Sequence, residues 1–156
     1  MSGICERLGV PAALYYRAHQ ARPLTDKDTV VLADFENKTG DAVFDDTLKQ
    51  ALAVELGQSP FLSVLSERKV SAALRLMNRP PNERITVEVG REVCVRTGSK
   101  AVLSGTISSV GSHYLIDLNA VACNTGDTLA EAQAETDSKD GVLKVLSQAS
   151  SDLRRS

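Results

Sequence analysis

Two kinds of connection divide this chain, and together they restrict its fold more than any single motif does. From Thr29 to Thr97, extended apolar runs alternate with stretches of helical periodicity; from Lys100 to Thr136, three extended runs follow one another through short turns. Parallel neighbours need a long crossover, whereas antiparallel neighbours need only a turn of a few residues. A chain with both kinds, in that order, is expected to build one sheet that starts parallel and finishes antiparallel.

The first run, "TVVLADF" (Thr29 to Phe35), is apolar and β-branched in nearly unbroken succession, the pattern of a strand covered on both faces. Phe44, Leu48, Ala51, Leu52 and Leu56 then recur at helical spacing, with Asp45 and Asp46 where carboxylates favour the positive end of the helix dipole and Gly57 as the stop. "FLSVLS", after Pro60, predicts a short second strand parallel to the first. Ser66 is the expected cap of a helix carrying Val70, Ala73, Leu74 and Met77, which the prolines of "NRPPNER" break. Thr86 opens a third helix through Thr97, and Gly98 ends it.

Hairpin turns are predicted at Gly111-Ser112 and at Asn124 to Asp127. Between them Tyr114, Ile116, Leu118 and Ala120 share one face, opposite Asp117 and Asn119 on a wetter one. A last helix, with Val142, Val145, Leu146, Ala149 and Leu153, is capped at or near Ser138. The expected order is β-α-β-α-α-β-β-β-α: an α/β fold with a mixed five-stranded sheet and four helices. In strand order 2-1-3-4-5, the segment Leu62 to Leu65 lies at an edge and offers backbone groups to an added strand.

With 18 basic and 20 acidic residues mixed along the chain and a net charge of -2, no broad field attracts nucleic acid, and the absence of Trp removes a favoured base-stacking group. Cys5, Cys94 and Cys123 form neither a CxxC pair nor an even framework, so they are expected to be small buried hydrophobes or stray thiols. His19 and His113 have no Cys or His at ligand spacing, so neither a metal centre nor another cofactor is expected. "LGVPAALYY" (Leu8 to Tyr16) is much shorter than the roughly 20 apolar residues of a membrane span. Residues 1–27 are accordingly expected to be an anchor remnant and linker ahead of one α/β domain, 28–156, soluble as given.

The candidate site is the loop "DFENKTGD" at the carboxyl end of the first strand, where open α/β sheets place ligands. Its residues Glu36, Asn37, Lys38, Thr39, Gly40 and Asp41, with the first turn of the following helix, are the expected surface for a protein partner or small ligand. A phosphate cradle needs several glycines, and here one glycine stands among acids. Turn and helix-entry chemistry is the simpler account, because Thr-Gly-Asp recurs at Thr125 to Asp127 inside a hairpin turn. A competing reading is a metal-assisted hydrolase using Asp34, Asp41 and Asp45 as hard oxygen ligands. Arg75, Arg79 and Arg84 form a solvated rim or, less simply, an anionic-partner site.

"VVLADFENKTGDAVFDDTLKQALAVELGQSPFLSVLS" and "VGREVCVRTGSKAVLSGTISSVGSHYLIDLNAVACNTGDTLAEAQAE" resemble TolB-like N-terminal domains, in which a strand ending in F-x-N-x-S/T-G-D precedes a helix and a short strand. On that resemblance Phe35, Asn37, Gly40 and Asp41 match the family's loop, and Gly105 matches its strand glycine. The resemblance implies a sheet like that of anticodon-binding domains, a non-catalytic interaction or sensor role, and no catalytic residue. More narrowly, the chain is similar to the region after the membrane span in bacterial serine/threonine kinases with tetratricopeptide repeats. That implies an anchored parent in the inner membrane, with this domain outside the cytoplasm and the kinase chemistry elsewhere.

Overall fold

A computed structural model of the chain describes residues 28–155. The expected anchor remnant and linker of 1–27, with Cys5 and His19, lie outside the described residues. The elements are β1 (Asp28–Leu32), β2 (Glu36–Lys38), α1 (Phe44–Gly57), β3 (Leu62–Val64), α2 (Glu67–Leu76), α3 (Val87–Thr97), β4 (Ala101–Val110), β5 (His113–Ala122), β6 (Thr128–Thr136) and, after a 3-10 turn at Lys139–Gly141, α4 (Val142–Arg155).

The main path of the sheet runs β3-β1-β4-β5-β6. β1 pairs in parallel with β3 and β4, and the two hairpins β4-β5 and β5-β6 are antiparallel. Apart from one added strand, this is the α/β architecture and the strand order read from the sequence. Residues 36–38, expected as loop, form the short strand β2, parallel to β4 with Asn37 opposite Ile107, and bring the strand count to six. The reason lies with Phe35, buried one residue earlier against the backbone of Gly105, which draws the following residues alongside the distal half of the ten-residue β4.

Helices lie on both faces of the sheet. α1 and α4 cover one, where Leu32, Leu48, Leu52, Ile116, Leu118 and Leu146 form the larger core. α2 and α3 cover the other, over Val31, Ala33, Leu74, Val93, Val102 and Val121. Val30 and Leu32 enter the first core while Val31 and Ala33 enter the second, so β1 has no wet side and its apolar run is unbroken.

The helix ends follow local chemistry. Ser66 Oγ accepts from Lys69 N and Thr86 Oγ1 from Val89 N, while Gly98 closes α3 at φ 67°. Ser138 caps the 3-10 turn that feeds α4. Gly111, at φ 61°, makes the two-residue turn between Val110 and His113.

The cysteine expectation needs correction. Cys94 and Cys123 are joined in a disulfide, with Cα atoms 5.6 Å apart and a separation of 29 positions in sequence. Packing of α3 against the end of β5 brings them together, which spacing in the chain does not reveal. Cys94 is nonetheless wholly buried in the second core, as a small hydrophobe would be.

Candidate functional site

The corner after β1 is built around Asn37. Its Nδ2 donates to Asp41 O at 2.8 Å and to Asp45 Oδ1 at 2.9 Å, and its Oδ1 accepts from Thr39 N at 3.0 Å and Thr39 Oγ1 at 2.6 Å. Those four bonds use both donors and both lone pairs of the amide. Thr39 Oγ1 accepts in turn from Asp41 N, and Asp41 Oδ1 accepts from Val43 N at the start of α1. Gly40 sits at φ 80°, a conformation that side-chain-bearing residues rarely adopt.

The other Asp41 oxygen meets Lys139 Nζ at 2.5 Å and so ties the corner to the turn before α4. The hydrogen bond from Lys139, followed by that from the Val43 amide, holds the Asp41 carboxyl below the ordinary aspartate range. The same bond raises the Lys139 ammonium above its ordinary value.

The three carboxylates proposed as a metal set face different partners. Asp34 receives Lys49 Nζ at 2.6 Å and Ile85 N at 2.7 Å, Asp41 receives Lys139, and Asp45 receives Asn37. Among the described residues no group of three or more His, Cys, Asp or Glu side chains could hold a metal ion. Two of the three arginines are engaged as well: Arg79 pairs with Glu83 at 2.5 Å, and Arg84 Nη2 donates to Phe35 O at 2.7 Å.

Of the loop residues, Asn37, Thr39, Gly40 and Asp41 therefore shape backbone, while Glu36 and Lys38 are exposed. Both project with Thr106 and Ser108 onto the sheet face opposite α1 and α4. Across the antiparallel ladders, Thr106 stands beside Asp117 and Gln133, and Ser108 beside Leu115 and Glu135. On this face the second buried core takes only Val31, Val102 and Val121 from the sheet strands, so the distal half of β2, β4, β5 and β6 lies outside it and is mostly polar, with Leu115 and the exposed Val110 among its residues. Sequence reading placed Asp117 on a wetter side but missed this patch, because its members span residues 36 to 135.

Among the described residues the main path of the sheet ends at two edges. β3, the expected one, is three residues long beside the 75%-exposed Phe61; the other is β6, whose Glu131 and Glu135 put charge on a nine-residue edge; β2, paired only with β4, is open on its other side as well. Among the described residues no helix is long and apolar enough to cross a membrane.

No protein-family model and no curated protein sequence matches the chain. Solved structures do. The C-terminal domain of LpoB from Salmonella enterica superposes with a TM-score of 0.64 at 15% identity, covering 80% of this chain and 93% of that one. Lipoprotein GNA1162 from Neisseria meningitidis gives 0.57 at 15% identity over 78% and 92% of the two chains. TolB from Acinetobacter baumannii gives 0.50 at 14% identity, covering 83% of this chain and 28% of TolB. At these identities the likeness is one of fold: the domain is TolB-like and LpoB-like in architecture.

Proposed function

We propose that this chain is a non-catalytic interaction domain that receives a protein partner on the bare half of its sheet. It would act within a longer membrane-attached signalling polypeptide, such as the serine/threonine kinase with tetratricopeptide repeats that the sequence resemblance implies. The observation that carries the reading is the patch itself, where Glu36, Lys38, Thr106, Asp117, Gln133 and Glu135 share one face outside both buried cores. Asn37, Thr39, Gly40 and Asp41 serve it indirectly by fixing where β2 ends.

Three further points support this setting. A metal-assisted hydrolase would need Asp34, Asp41 and Asp45 on one cation, and each is turned to a separate partner. The fold recurs in a protein described as a lipoprotein, which suits an anchored parent. The disulfide suits an oxidising compartment outside the cytoplasm.

The test is site-specific photo-crosslinking in the parent polypeptide in cells, with the probe at Lys38 or Gln133 and a control at the 63%-exposed Val54 on α1. A discrete adduct from the two sheet positions and none from Val54 is expected. No adduct from the sheet, or the same adducts from all three positions, refutes the proposal. A rise in Tm with millimolar magnesium would instead favour the hydrolase.

A further inference from the structure

We propose that the crevice between α1 and α2 is a binding pocket for a small organic amine with an apolar body, a site separate from the bare sheet face. β1 and β3 are parallel neighbours whose chains leave toward opposite faces: α1 packs into the first core and α2 into the second. Helices that diverge in this way leave an opening beyond the carboxyl ends of the strands, the place where open α/β sheets hold ligands. The opening here is a cavity of about 500 Å³, within the range of about 300–1,000 Å³ usual for small-molecule sites.

Its lining selects the ligand. Leu32, Leu65, Leu74 and Ile85 are buried residues that present an apolar wall, joined by the half-buried Ala53 and Val64. Lys49, the one cation among the described residues that line the cavity, is already bound to Asp34, and Glu83 is bound to Arg79 outside it. Asp46 and Glu67 stand at the rim and enter no ion pair among the described residues.

Anions are disfavoured twice over. The helix N-termini that hold phosphate in such crevices carry the chain's own carboxylates here, Asp45 and Asp46 on α1 and Glu67 on α2, and no glycine-rich loop opens backbone amides. An ammonium group between Asp46 and Glu67, with its hydrocarbon against Leu65 and Val64, satisfies both parts of the lining. Because that group binds half in solvent, its affinity depends on salt.

The experiment is an amide NMR titration of the whole chain at pH 7 with 2-phenylethylamine, against 2-phenylethanol and 3-phenylpropionate as neutral and anionic analogues. Saturable shifts at Lys49, Leu65, Glu67 and Ser71 are expected with the amine, weaker ones with the alcohol, and none with the acid. The pair Asp46→Asn and Glu67→Gln, both at exposed positions, should lower amine affinity by about tenfold while leaving the rest of the spectrum in place. Ala53→Leu, which fills the cavity from the apolar side, should abolish binding.

Equal binding of the carboxylate, shifts elsewhere in the molecule, or unchanged affinity in the double variant would overturn the proposal. So would a blocked lysine tripeptide that binds more tightly than the free amine, since the pocket would then receive a protein side chain. Crosslinking on the sheet face reads a different surface, so either proposal can fail alone.

Discussion

Gly105→Ala tests the contact that organises the candidate corner. A Cβ built on Gly105 lies 2.4 Å from Cε2, 2.6 Å from Cζ and 2.9 Å from Cδ2 of Phe35, where carbon atoms prefer about 3.5–4.0 Å. The ring must retreat by roughly 1 Å, yet the backbone around it is held. Ala33 N donates to Leu103 O, Arg84 donates to Phe35 O, and Asn37 pairs opposite Ile107.

Overpacking of this kind costs about 1–3 kcal/mol, so Gly105→Ala should destabilise the domain by about 2 kcal/mol. Phe35→Ala alone should cost about 3–5 kcal/mol through the cavity it leaves. In that background the new methyl group has room, and replacing a strand-interior glycine gains up to about 0.5–1 kcal/mol, so the sign of Gly105→Ala reverses. The coupling between the two positions is then about 2–3 kcal/mol. With no Trp in the chain, urea unfolding followed by far-UV circular dichroism is the suitable assay, with m unchanged across the set. A Gly105→Ala variant within about 0.5 kcal/mol of the parent, or a strictly additive double variant, refutes the reasoning.

Two other outcomes follow from long-range contacts. Reducing Cys94–Cys123, or replacing both cysteines with serine, should cost about 3–4 kcal/mol, the loop-closure value for a loop of this length; an unchanged urea midpoint after full reduction contradicts it. Asp41 and Lys139 should give pH dependence at both extremes. The folded Asp41 carboxyl titrates below 3.8, so its contribution is complete above that value and is lost as pH falls through the folded pKa. Lys139 titrates above 10.5, so its contribution is complete below that value and is lost as pH rises through the folded pKa. NMR titration should show the Asp41 midpoint rising toward 3.8 in Lys139→Met, and a midpoint insensitive to that change refutes the pairing.

The helices and turns were legible because their signals are local. Ser66 and Thr86 announce caps through a bond to the third residue on, and Gly98 and Gly111 mark places where φ must be positive. The same holds for half of the candidate site: Thr39, Gly40 and Asp41 look like a turn and are one. β2 was not legible, since three residues, Glu-Asn-Lys, carry no periodicity and their pairing depends on a phenylalanine packed beneath a glycine 70 positions away.

Apart from β2, residue order by itself settled the element types, their sequence and the change from parallel to antiparallel pairing, because each rests on interactions within a few residues or on the length of a connection. Tertiary structure alone decided which polar side chains the fold itself consumes. Asp34 is taken by Lys49 and Ile85, Asn37 by its own corner, and Cys94 by Cys123, while Glu36 and Lys38, paired with each other at 3.9 Å on the surface, converge with Asp117 and Gln133. Whether a polar group is spent or free depends on what the folded chain places within about 3 Å of it, and that proximity has no counterpart in sequence distance.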